Sequence, residues 1–135
     1  MKNIKTVVFI VAALFSTMAW SEVAVVVHPS NVDSIDQSMV AAIFLGKKKS
    51  FPSGSSAVPL VLNDATTDEF NTKLLGKTSS QLQSYWSKLV FTGKANPPKK
   101  VSSAEMIELI KSNPNMIGFV DSANVTADLK VVGKY

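Results

Sequence analysis

The sequence has no cysteine, no arginine and a single histidine, His28, in 135 residues. Without cysteine there is no disulfide, no iron–sulfur cluster, no thiolate zinc site and no thiol nucleophile. One imidazole cannot build a site that needs several. Without arginine, the bidentate fork best suited to phosphate or carboxylate is missing, so an anion here must be held by backbone amides, hydroxyls or lysine. Aromatics make up only 8% and charged residues 18%. Together these absences argue against most enzyme classes, and no cofactor is implied.

What is present is apolar: 46% of the residues are hydrophobic, too many for a disordered chain. The length suits one domain. Lys2 and Lys5 precede the uncharged, mainly apolar run 6–18, and Ala19-Trp20-Ser21 follows with small residues at the first and third positions. This is the three-part pattern of a secretory signal peptide. The run is shorter than the roughly 20 apolar residues of a membrane-spanning helix. Residues 1–21 are therefore read as a signal peptide cut between Ser21 and Glu22, with a cut after Ala19 as the alternative. Residues 22–135 are read as a single periplasmic domain without a membrane span. Twelve of the 14 lysines and all ten acids lie after residue 21, so the net charge falls from +4 to +2 on cleavage. The clusters Lys47-Lys48-Lys49 and Lys99-Lys100 border Pro or Gly loops and are not interleaved with aromatics. They read as solvated loop charge, and no nucleic-acid partner is expected.

Val23–Val27 (VAVVV) is a β-branched run closed by His28-Pro29, which predicts a strand buried on both faces. Val58–Leu62, Met116–Val120 and Leu129–Val132 predict three more strands. Gly118 inside the third suggests a close backbone approach or a bulge. Four capping boxes predict helix starts, with Ser34, Thr66, Thr78 and Ser102 as N-caps. The helix opened by Thr78 carries Leu82, Tyr85, Trp86, Leu89 and Val90 at helical spacing, a stripe that predicts a buried Trp86. Lys47–Ala57 reads as a surface loop and Ala95–Pro98 as an extended linker. Strands separated by helices imply crossovers, so the expected fold is α/β: a small mixed, largely parallel sheet of about four strands with helices on its faces.

No residue set makes a persuasive catalytic centre or metal site. His28 and Ser30 are two apart across a proline and are not expected to face each other, and Asp64, Asp68 and Glu69 lack the spaced oxygen ligands of a cation loop. A binding site is better founded. Ligands in open α/β sheets lie beyond the carboxyl ends of strands, and two predicted strands run from there into helix starts. Ser30 and Asn31 follow the first strand, and Thr66 and Thr67 follow the second. Hydroxyls and amides at such turns suit an oxyanion, so these four residues are the candidate anion ligands, expected to converge on one site.

In order along the chain, Ala24–Asn31 (AVVVHPSN), Ile43–Lys47 (IFLGK), Phe51–Gly54 (FPSG), Tyr85-Trp86 with Phe91–Lys94 (YW and FTGK) and Met116–Asp121 (MIGFVD) resemble the phosphate ABC transporter substrate-binding protein family. The closer resemblance is to its short, single-lobe relatives of the type 2 periplasmic binding protein fold. The resemblance implies a secreted, non-catalytic solute-binding-like protein for phosphate or another small oxyanion, partnered by a membrane transporter or sensor protein. Two-lobe members clamp phosphate between lobes with Ser/Thr hydroxyls, helix N-terminal amides, an Asp and an Arg. This chain is about one lobe long and has Thr67 where many short relatives carry Arg. A periplasmic protein-interaction module that has lost the ligand is the alternative.

Overall fold

The computed structural model describes residues 22–135, so the expected signal peptide lies outside the described residues. Five strands form one sheet in the order β3-β2-β4-β1-β5: β1 Val23–Val27, β2 Val58–Leu62, β3 Lys99–Val101, β4 Met116–Asp121 and β5 Lys130–Lys134. The helices are α1 Gln37–Phe44, α2 Thr66–Phe70 with its π-helical continuation Asn71–Leu75, α3 Ser79–Phe91 and α4 Ser103–Ser112. β2 pairs in parallel with β3 and β4, whereas β1 runs antiparallel to both β4 and β5. Four of the five strands thus point the same way and β1 alone is reversed. The expected α/β class, with helices on the faces of a mixed sheet, is what forms.

Every residue of β1 is buried, as its unbroken β-branched run predicts for a central strand. Neighbouring residues of a strand face opposite sides, and β4 shows what each side holds. Phe119 stacks on Phe70 at 4.0 Å between ring centres, with Phe44 at 4.6 Å from Phe70, so α1 and α2 cover that face. Gly118 faces the other way, toward Met106 and Ile110 of α4. The glycine marks a close approach, while the sheet's irregularity lies between β1 and β5, where Val132 is the extra residue opposite the Val25/Val26 step.

β3 is the strand missing from the sequence reading. It has three residues, two of them lysines, and occupies the sheet edge; Lys130 and Lys134 stand on β5 at the other edge. Charge of this kind discourages edge-to-edge pairing, and it also erases the apolar alternation by which strands are recognised.

Two helix starts differ from expectation. The N-cap of α1 is Asp36, whose carboxylate accepts from Met39 N at 2.8 Å, two residues after Ser34. Gln37 instead donates to the carbonyl of Lys73. The N-cap position of α2 is Ala65, and Thr66 and Thr67 lie within the first turn. The Thr78–Gln81 capping box forms in full. Ser102 caps α4, while the Glu105 carboxylate turns to Lys99 at 3.8 Å. In the loop 47–57, Phe51 is buried and Gly54 N donates to its carbonyl at 2.8 Å, so the aromatic anchors a tight turn.

The α3 stripe is the largest departure. Leu82 is buried, Tyr85, Trp86 and Leu89 are half-buried, and Val90 is exposed, as is Phe91 beside the stripe, to 90%. α3 lies outboard of the sheet: Tyr85 Oη donates to Leu45 O at 2.6 Å, and Trp86 leans on Gly46. Full burial of Trp86 would put the cost of Trp86→Ala at about 3–5 kcal/mol, but a half-buried ring gives an expected loss of about 1–2 kcal/mol, read by chemical denaturation.

Candidate functional site

Because β2, β3, β4 and β5 point the same way, their carboxyl ends gather at one edge of the sheet, and a fold of this class places ligands there. β2 leaves that edge beside β3, with Asn63 N donating to Val101 O at 3.0 Å. The next residues bond largely among themselves. Asp64 Oδ1 accepts from Thr66 N at 2.9 Å, Thr67 N donates to Asp64 O at 3.2 Å, and Thr67 Oγ1 donates to Leu62 O at 2.6 Å. Asp68 Oδ1 accepts from Ser79 Oγ at 2.8 Å, tying α2 to the start of α3.

This turn forms one wall of an open groove of about 1320 Å³. Leu82, Trp86, Val90 and Phe91 of α3 form the opposite wall, closed off by Pro97, Pro98 and Lys100. Its charged lining is Asp64, Asp68 and Lys100, so carboxylates outnumber cations. Thr67 lines the groove as expected of a ligand-bearing turn, but its hydroxyl hydrogen and amide are already given to Leu62 and Asp64. Asp64 takes the Thr66 amide that an incoming oxyanion would want. The turn holds its own anion.

Ser30 and Asn31 do not join this site. They follow the carboxyl end of the one reversed strand, and Val27 pairs with Ile117 near the start of β4, so they lie at the opposite edge from Thr66 and Thr67. Five residues of strand, roughly 13 Å, separate the two ends. The expected convergence fails because it assumed that β1 and β2 point the same way. His28 and Ser30 do face each other, contrary to expectation: Ser30 Oγ is 2.7 Å from His28 Nδ1, and Ser30 N donates to the same nitrogen at 3.0 Å. An amide can only donate, so Nδ1 is the acceptor in that bond. Asn31 is a structural link. Its side chain accepts from Asp33 N at 2.9 Å, and its carbonyl accepts from Lys130 Nζ at 2.6 Å.

Asn63, Asp64, Asp68 and Ser79 are groove residues that the sequence reading did not select. The Asn-Asp step directly after a strand, an Asx-turn signature, is the signal that could have found the first two.

No family model and no curated protein matches this sequence. Solved structures do match. A Clostridium perfringens protein assigned as a phosphate ABC transporter substrate-binding protein, solved with bound phosphate, superposes with a TM-score of 0.63 at 17% identity. PstS from Borrelia burgdorferi gives 0.57 at 15%, and an ABC-type phosphate transport receptor from Vibrio cholerae 0.55 at 14%. The chain has the fold of these receptors. The matches cover 83% of this chain and 45%, 47% and 46% of those chains respectively, so it spans less than half of each neighbour. This is the architecture of one lobe of a type 2 periplasmic binding protein-like fold, and these neighbours are solute-binding proteins. None of the described helices is long and apolar enough to cross a membrane.

Proposed function

We propose that the chain is a secreted, non-catalytic solute-binding-like protein that takes phosphate or another small oxyanion weakly at the carboxyl end of β2. The observation that carries this reading is the groove at the edge where four strand ends gather, with Thr66 and Thr67 in its turn. The likeness to receptors of phosphate transporters supports the ligand class. A single lobe leaves the ligand open to water, which weakens each charge-assisted bond, so affinity is expected near the millimolar range, about −4 kcal/mol. Secretion follows from the leader pattern of residues 1–21, and intact-mass measurement of the periplasmic protein tests it: loss of residues 1–21 is expected, and a retained leader refutes it.

The internal carboxylate makes the site testable. Asp64→Ala frees the Thr66 amide and removes a negative charge, so phosphate affinity is expected to rise about tenfold. Phosphate-titrated amide shifts of residues 63–68 read both the site and the gain. A second reading, a periplasmic protein-interaction module that has lost the ligand, is favoured by the exposed Phe91 and Val90 on the far wall. The same titration separates the two. If saturating phosphate moves none of those amides in the wild-type chain or in Asp64→Ala, the oxyanion reading falls and the interaction module stands.

A further inference from the structure

We infer a second, separate site: a basic cavity between the C-terminal ends of α1 and α3 that binds a compact polyanion carrying two or more phosphate or carboxylate groups. The cavity holds about 360 Å³ and is lined by Lys48, Lys49 and Lys94, with Asn96, Trp86 and Pro98 among its other walls. That volume lies at the lower end of small-molecule sites. No acid lines it, and no carboxylate of the described residues is within ion-pair distance of these lysines.

Two of the four Gly-Lys steps of the sequence, Gly46-Lys47 and Gly93-Lys94, build the cavity. Gly46 N donates to Ile43 O and Lys47 N to Ala42 O, a Schellman ending for α1; Gly93 N to Val90 O and Lys94 N to Leu89 O repeat it on α3. Both glycines have positive φ, +73° and +71°, which lets each chain reverse and carry its lysines back over the helix end. At Gly46 space adds a constraint, because a Cβ would stand 3.3 Å from Trp86 Cη2 and from Ala95 Cβ. The indole thereby closes one side of the cavity.

Lysines at helix C-termini have a simpler use, since each end carries about half a negative charge. Two such ends offset about one unit, and three lining lysines leave an excess. A monovalent anion would not use that excess, whereas a polyanion would. Trp86 and Pro98 also line the groove beyond β2, so one wall separates a basic cavity from a groove whose carboxylates outnumber its cation.

Inorganic pyrophosphate and citrate, titrated separately into the full chain, test the inference and distinguish phosphate from carboxylate chemistry. At least one is expected to shift the amides of Gly46, Lys48, Lys49, Gly93 and Lys94 and the Trp86 indole N–H, while leaving residues 63–68 in place. Lys49→Ala combined with Lys94→Ala should weaken binding about tenfold while the protein stays folded with a melting temperature lowered by only a few degrees, because both side chains are exposed. Lys134→Ala, an exposed lysine on β5, should change it less than twofold. The inference is overturned if neither anion moves these amides at saturation. Equal weakening by the double variant and by Lys134→Ala also overturns it, because the binding is then general surface charge.

Discussion

Phe119→Ala is expected to lower stability by about 3–5 kcal/mol, the range for emptying an aromatic site in a core. Phe119 is fully buried, stacked on Phe70 with the ring planes 4° apart and 5.9 Å from Phe44 between ring centres. These three rings come from α1, α2 and β4, so they join the face-covering helices to the middle of the sheet. Removing Phe119 leaves Phe70 without its stacked partner and Phe44 with one ring contact instead of two, which loosens the seat of both helices on the sheet. Domains of this size are stable by about 5–15 kcal/mol, so the loss is a large share of the total. Urea denaturation read by circular dichroism gives the value. A loss under about 1.5 kcal/mol would mean that the rings repack freely and that the cluster does not couple α2 to the sheet.

The contrast between this cluster and the candidate site separates what was legible in the sequence from what was not. Val23–Val27 is apolar at every position, and only a strand covered on both faces accommodates that, so its place was readable. The Thr78–Gln81 box was readable because its partners are three residues apart and need nothing from elsewhere. Strand direction has no such local signature. β1 lies between β4 and β5, both more than 85 residues later in the chain, and its reversal moves Ser30 and Asn31 to the edge opposite Thr66 and Thr67. Patterning put both turns at strand ends; pairing decided that they do not meet. Trp86 failed for a related reason. An apolar stripe at helical spacing shows that a helix has a preferred face but not that a neighbour is there to cover it, and α3 leans on Gly46 and Leu45 at the rim. Residue type marks the Thr67 hydroxyl as a candidate ligand, but type does not reveal that the carbonyl of Leu62 already takes its hydrogen.

Gly118→Val is expected to cost about 3 kcal/mol, the upper part of the range for overpacking a core. The direction carries the information. Glycine inside a strand is ordinarily a weakness, and a β-branched residue there ordinarily strengthens it. The reverse is expected here because the first atom of any side chain would overlap Met106 Sδ and stand 2.9 Å from Ile110 Cδ1. Both partners are fully buried on α4, so neither can swing into solvent. The chain has given up a side chain at this position to let α4 lie close against β4. A double-mutant cycle isolates that cause. Met106→Ala alone removes a buried side chain and costs about 2–5 kcal/mol, but it also vacates the space that the introduced isopropyl group would need. In that background Gly118→Val should cost at least about 1 kcal/mol less than in the wild type, a coupling of the size seen for residues in contact. Denaturation midpoints of the four proteins measure it. Strict additivity would show that Gly118 is required for the backbone of β4 itself and not for the seat of α4.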